Sequence, residues 1–243
     1  MEFYALIEEW SDPDESIVFF RELPGCFVST PTTREAIQRA PGAIAEYVRW
    51  LHQHQIFFLE EDVTSINVVV KEILRGESVG PRFASDLPAP TDQEIDHALR
   101  VAATTRATIA HLYNQVEPAH RSFAVTPGEW SLTDQMEHIL RAEAHYVGCL
   151  SDQSPETLQP IPETELADVL IEHGRTYETV LRGLTPAQRT RIYIHGEAEW
   201  TAVKTLRRLT KHLREHYPWM QKLAGQFSTR SHEGLGIFDD PSE

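Results

Sequence analysis

The spacing of apolar residues changes along this chain, and that change limits the folds it can adopt. Up to about residue 75, apolar and β-branched residues gather in short runs at 4–10, 16–23 and 66–74, which are typical of strands. Residues 32–51 between them repeat their apolar side chains at helical spacing, and the same period dominates beyond residue 90. The chain is therefore predicted to be an α+β protein, with a small α/β domain followed by an all-α domain.

A segment rich in Gly, Pro and Ser separates the two patterns. It covers residues 76–90, lacks any apolar period and is predicted to be a linker. The predicted domains are residues 1–75 and 91–226. Residues 227–243, rich in Ser, Gly and Asp, are predicted to form a flexible tail.

The second domain carries start signals for helices. Thr91 and Ser131 each precede an acidic residue by three positions, Glu94 and Asp134, in the form of a capping box. Helices are predicted over about 91–116, 131–150 and 163–184, with a fourth from about residue 200. Four helices of about 20 residues with apolar stripes are typical of a four-helix bundle.

Composition excludes some classes of partner. The formal net charge is −15, from 22 Lys and Arg against 37 Asp and Glu, which disfavours binding to nucleic acid and to anionic membranes. The basic residues of the fourth helix are interpreted as a solvated face; they are Lys204, Arg207, Arg208, Lys211 and Arg214.

The cysteines and the N-terminus predict the compartment. Two cysteines, Cys26 and Cys149, lie far apart, so a disulfide framework is not expected. No signal-peptide pattern opens the chain, and no apolar run is long enough to span a membrane. A cytoplasmic protein that does not enter the membrane is predicted.

Two histidines, His212 and His216, stand four positions apart in the fourth helix. With 12 His in the chain, chance alone gives about 0.6 such pairs, so the spacing by itself is weak. On a helix, however, positions i and i+4 share a face and can converge on one cation. Pro218 follows closely and is expected to end or kink the helix, which would re-aim His216.

A third ligand must come from another helix. In the second helix, His138 and His145 lie seven positions apart on one face, beside the apolar stripe. Either histidine can approach the pair from across a bundle, and the spacing alone does not choose between them.

The residues around these histidines resemble a known family. WSLTDQMEHILRAEAHYV, followed by HGEAEWTAVKTLRRLTKHLREHYPWM, is similar to the DinB / YfiT-like four-helix metalloproteins over about residues 91–226. The resemblance rests on Trp130 before His138, on Gly196 and Trp200, and on the H-x3-H pair. It implies that His138, His212 and His216 hold a divalent metal such as Zn, Ni or Fe.

The first domain carries a second resemblance. YALIEEW, ELPGCFVS and TTREAIQRAPGAIAEYVRWL resemble the small α/β domain of HicB-like proteins over about residues 3–72. In HicB antitoxins a DNA-binding segment follows this domain. Here a linker and helices follow, so no repressor function is predicted.

Glu143 and His145 are candidates for supporting the metal site. Glu143 falls within the apolar stripe of its helix, where a carboxylate needs a partner. We expect it either to hydrogen-bond a ligating imidazole or to reach solvent past small neighbours. His145 is expected on the polar face, or near the substrate.

Two classes of function follow from this pattern. The first is a metal-dependent enzyme that uses an open coordination position for thiol transfer or hydrolysis on a small molecule. The alternative is a non-catalytic metal-binding sensor or scaffold whose HicB-like domain binds a partner. The predicted partners are a small-molecule substrate or thiol, with a homodimer as a candidate assembly and no nucleic acid.

Overall fold

The fold is taken from a computed structural model that describes residues 1–11, 14–56, 65–76, 82–124, 126, 128–155 and 157–233. Its strands are β1 (Glu2–Ser11), β2 (Asp14–Phe20), β3 (Phe27–Thr30), β4 (Asn67–Gly76), β5 (Tyr193–His195) and β6 (Ala198–Trp200). Its helices are α1 (Thr33–Gln53), α2 (Asp92–Gln115), α3 (Pro118–Arg121), α4 (Leu132–Gly148), α5 (Leu166–Arg182), α6 (Pro186–Arg189) and α7 (Ala202–Glu233). The predicted α+β class is confirmed.

The first four strands form one sheet in the order β3-β2-β1-β4. β1 and β2 pair antiparallel as a hairpin, and β4 returns beside β1 in the parallel direction after the crossover through α1. The helix runs unbroken through Pro41, so this proline does not split it. Residues 12 and 13, between β1 and β2, lie outside the described residues.

The two faces of the sheet meet different partners. Because side chains alternate along a strand, β1 sends Phe3, Ala5 and Ile7 into a core shared with α1. Leu6 lies on the opposite face and packs with Phe83, in the segment that leads from the sheet to the helices. The sheet is therefore covered on both faces.

Four long helices, α2, α4, α5 and α7, share a second apolar core. α2 and α4 each pack against both α5 and α7. The predicted capping boxes are present: Thr91 accepts from the Glu94 amide and Ser131 from the Asp134 amide. None of the helices in the described residues combines the length and apolar character that a membrane crossing needs.

The last helix does not stop at Pro218. α7 begins after Thr201, whose hydroxyl accepts from the Lys204 amide, and it continues to Glu233. Of the two outcomes expected at Pro218, an end of the helix is therefore wrong, and a kink stays a prediction. Pro218 is exposed, so water can hydrogen-bond the carbonyl that a proline leaves unpaired. The predicted tail begins inside this helix, and its residues 234–243 lie outside the described residues.

The basic residues of α7 are buried or partly buried, and two of them contact the sheet, which corrects the prediction of a solvated face. Arg207 donates from Nη1 to Glu8 Oε1 at 2.9 Å and from Nη2 to Asp86 Oδ2 at 2.8 Å. Arg208 also binds Glu8, and Lys204 has no exposed surface. The face looked solvated because a helical pattern does not reveal that a sheet packs on its polar side.

Helix α1 also contacts the helical region. The Arg214 guanidinium carbon lies 4.1 Å from the centre of the Trp50 ring, a cation–π contact. Val101 of α2 belongs to the apolar core formed by α1 and the sheet. Both the sheet and α1 therefore hold α2 and α7 in place.

Candidate metal centre

Adjacent helices bring three histidines together. His138 projects from α4, while His212 and His216 lie one turn apart on α7. One ring nitrogen from each of the three lies within 4.8 Å of the others. His212 is buried and the other two rings are partly buried. The structure thus unites the three predicted ligands, and His145 is not in this group.

The hydrogen bonds orient the imidazoles. His216 donates from Nδ1 to Gln135 Oε1 at 2.6 Å, which leaves the lone pair on its Nε2. His212 Nε2 and His138 Nε2 lie 2.9 Å apart and face each other. Gln135 stands one turn before His138 on α4, so the same helix supplies both a ligand and the group that orients another ligand.

Burial keeps these rings neutral. Burial, with smaller contributions from His216 and His138, lowers the pKa of His212 to about 2. Burial lowers the pKa of His216 to about 4, and the pKa of His138 is also lowered chiefly by burial. A neutral imidazole is the form that binds a metal ion, so the site is electrostatically ready for a cation.

The donor set fits a transition-metal ion. Two imidazole nitrogens on one tetrahedral zinc ion lie about 3.3 Å apart, close to the 2.9 Å between His212 and His138. Three nitrogens without a carboxylate suit Zn, Ni or Fe better than Mg or Ca, which prefer oxygen ligands.

Aromatic rings enclose the histidines. The Trp130 ring lies 4.8 Å from the His138 ring and stacks nearly parallel to His216 at 6.5 Å. Tyr146 meets His212 edge-on at 5.7 Å. Trp130 is 46 % exposed, so the cluster lies near the surface and not deep in the core.

A cavity of about 460 Å³ opens beside His138. The short β5–β6 hairpin, which turns at Gly196 with a φ of +62°, carries His195 and Trp200 to its wall. Lys204 and Arg208 of α7 also line it. A second cavity, of about 320 Å³ between the sheet, α2 and α7, shares none of its described lining residues with the first. The histidine cluster therefore has its own adjoining pocket.

Glu143 does not take either expected role. It has no exposed surface, and both of its oxygens accept from Arg106 Nε, at 2.8 and 3.0 Å. Burial raises the pKa of Glu143, and Arg106 limits that rise. The pair fits because Gly174 faces Arg106: a Cβ at that position would lie 2.8 Å from Arg106 Cδ. Glu143 thus joins α4 to α2 instead of contacting an imidazole.

His145 lies on the exposed side of α4. Its ring meets Trp200 edge-on at 5.7 Å, and its Nε2 is 3.6 Å from the Cys149 sulfur. It also lines the cavity beside His138. His145 is therefore a polar-face residue, as the first of its two expected positions had it, and a place near a substrate stays a prediction.

The sequence pattern missed Gln135 and Lys204. Gln135 had a signal, because it precedes His138 by three positions and so shares its helix face. Lys204 had no such signal, because a lysine on a helix is usually exposed.

Comparisons with family models, with curated proteins and with solved structures found no match to this chain.

Proposed function

We propose that this chain is a metal-dependent enzyme acting on a small molecule, with a DinB-like four-helix bundle joined to a HicB-like α/β region. The observation that carries the proposal is the convergence of three neutral imidazoles beside an open cavity. A structural zinc site is usually closed by four protein ligands, whereas three histidines leave room for a substrate or water.

The residues divide into holding and orienting groups. His138, His212 and His216 would hold the ion, and Gln135 fixes the tautomer of His216. When bound, the ion would lower the pKa of a coordinated water or thiol and so supply a nucleophile at neutral pH. Trp130 covers two of the imidazoles and limits their exposure to water.

The cavity supports a nucleophile that comes from outside the chain. None of its described lining residues is a Ser, Thr or Cys. Burial raises the pKa of the nearby Cys149 thiol to about 11, so this thiol stays protonated at neutral pH. Thiol transfer or hydrolysis with an external thiol or water is therefore the reaction class proposed.

A metal-binding module without turnover is the second candidate. It is favoured by one observation: no Asp or Glu is found among the described residues that line the cavity. His145 and His195 are the two imidazoles of the wall that are not proposed as metal ligands, so they are the candidates there for a general acid or base. Turnover of an electrophilic substrate by the metal-loaded protein would separate the two candidates.

Elemental analysis of the purified protein tests the metal site. Wild type is expected to hold about one ion per chain, and His138→Ala and His212→Ala are each expected to lose it. His111→Ala is the matched control, because His111 is exposed on α2 and bonds only Gln115 in the described structure. Full occupancy in His138→Ala would overturn the three-histidine assignment.

A further inference from the structure

The wall of the cavity beside His138 is cationic. Arg141, Lys204 and Arg208 line it together with three histidines, and its described lining contains no Asp or Glu. The chain as a whole has the opposite balance, with 37 acidic against 22 basic residues. A pocket with this lining in an acidic protein favours a negatively charged ligand.

The charge of Arg208 is already matched. Its Nη2 donates to both oxygens of Glu8, and the arginine is only 8 % exposed. It therefore shapes the wall but contributes little unmatched charge to a ligand. Arg141 and Lys204 are the other two cationic groups of the wall.

Arg141 can exchange its partner. It donates to Glu137 at 3.0 Å, one helix turn away, and its side chain is 55 % exposed. An exposed pair of this kind contributes about 0–1 kcal/mol, so a ligand carboxylate can replace Glu137 at little cost.

Lys204 is a buried ammonium at the inner wall. It donates to the Glu199 carbonyl at 2.7 Å and lies 4.6 Å from the centre of the Trp200 ring. Burial, then the nearby Arg208 and Arg207, lower its pKa to about 8. An anion at the wall would offset both the burial and the repulsion.

The remaining wall is aromatic. The rings of Tyr146 and Trp200 lie 5.6 Å apart, and both line the cavity. The two ring planes are tilted by 33° to each other and form an aromatic part of the wall. Flat unsaturated groups pack well against aromatic rings.

We infer that this pocket binds a small organic anion with a flat unsaturated body. Its negative group contacts the exposed Arg141 and is also attracted by the charge of the buried Lys204, while its body lies against the wall formed by Tyr146 and Trp200. The inference that this anion is the substrate rests on the proposed function, because the pocket opens beside His138. The inference that the pocket binds the anion rests on the pocket residues alone.

Calorimetry with two ligands of one shape tests the inference. 2-Naphthoate and 2-naphthamide differ in charge but hardly in size, and each is titrated into the metal-loaded full chain at pH 7. Wild type is expected to bind the anion at least ~10-fold more tightly than the amide. This ratio corresponds to a difference of about 1.4 kcal/mol in binding free energy. Equal affinities would overturn the inference.

Two substitutions locate the charge. Arg141→Gln and Lys204→Met are each expected to reduce the preference for naphthoate by about 3- to 10-fold, while naphthamide binding stays unchanged. Arg39→Gln is the matched control, because Arg39 forms an equivalent exposed pair with Glu35 on α1. Circular dichroism checks the folding of Lys204→Met. If that variant does not fold, Arg141→Glu replaces it and is expected to abolish the preference.

The metal-free protein separates this inference from the proposed function. Preference for naphthoate that persists without metal, and falls in Arg141→Gln, supports the anion site even if the metal site fails. Preference that needs the metal and is unchanged in Arg141→Gln and Lys204→Met would mean that the ion alone captures the carboxylate. That result would overturn the inferred anion site but would still support the metal site.

Discussion

Arg208 in the last helix donates from Nη2 to both carboxylate oxygens of Glu8 in the first strand, at 2.8 and 2.7 Å, across 200 positions of sequence. Arg207 donates to the same carboxylate at 2.9 Å. Glu8 is 1 % exposed, so the network is buried. Its formation depends on the sheet and α7 being packed together.

Loss of the Glu8 carboxylate is expected to destabilise the whole chain. Glu8→Ala leaves two buried guanidinium groups without this partner, and breaking a buried ion pair on one side costs about 3–5 kcal/mol. Urea denaturation followed by circular dichroism measures the effect. Glu178→Ala, which breaks an exposed pair with Arg182, is the control and is expected to cost less than about 1 kcal/mol. Equal midpoints for the two variants would contradict the buried network.

Gln135 is expected to tune the affinity for metal without being a ligand. Gln135→Leu removes the acceptor for His216 Nδ1, which lies at 2.6 Å, so the ring loses its fixed orientation. Loss of such a partner typically weakens metal binding about 10- to 100-fold. Competition with a chelator of known affinity measures the change, and Gln115→Leu on α2 is the control. An unchanged affinity in Gln135→Leu would remove Gln135 from the site.

Metal binding at pH 6 is expected to release few protons. Three imidazoles with the usual pKa near 6.5 would carry about two protons at this pH. Here the pKa is about 2 for His212 and about 4 for His216, and it is lowered for His138, so the rings are already largely neutral. Zinc titrations in two buffers of different ionisation enthalpy should give fewer than about one proton per ion. Release of two or more would show that burial does not neutralise the cluster.

The metal-free protein is expected to lose stability as the pH falls below about 6.5. His212 has a folded pKa of about 2, so between about pH 2 and 6.5 the unfolded chain binds a proton that the folded chain does not. Its contribution is fully present above pH 6.5 and declines by about 1.4 kcal/mol per pH unit below it. His212→Gln lacks this titration. Urea midpoints measured from pH 5 to 7 should therefore fall less steeply in the variant, and parallel slopes would contradict the assignment.

Capping residues and the spacing of apolar residues predicted the long helices and most of the main sheet, because both signals depend on residues that are close together in sequence. The capping residues Thr91 and Ser131 mark the start of α2 and α4, and the apolar periods place β1, β2, β4 and the long helices near their observed bounds. The short β5–β6 hairpin was not predicted. Pro218 shows where such a signal fails: an exposed position tolerates the missing hydrogen bond, so the helix continues.

Helix spacing brought His212 and His216 within reach of the sequence, because positions i and i+4 share a face. Spacing left His138 and His145 open as the third ligand, and only the family resemblance favoured His138. The surroundings of Lys204, Arg208 and Glu143 were not within reach. A helical pattern shows which residues share a side but not what packs on that side. The partners Glu8 and Arg106 come from elements far away in sequence, so only the assembled fold identifies them.

The ion pair between Arg208 and Glu8 limits how freely the N-terminal sheet region and the helical region can be recombined with those of other proteins. Arg208 lines the pocket beside the histidines, but its guanidinium is held by a carboxylate from the first strand. A helical region joined to a different N-terminal region would keep its three histidines but lose the Glu8 carboxylate that orients the Arg208 guanidinium. Positions 8 and 208 therefore constrain each other's substitutions, and recombination between relatives should succeed only where both are inherited together.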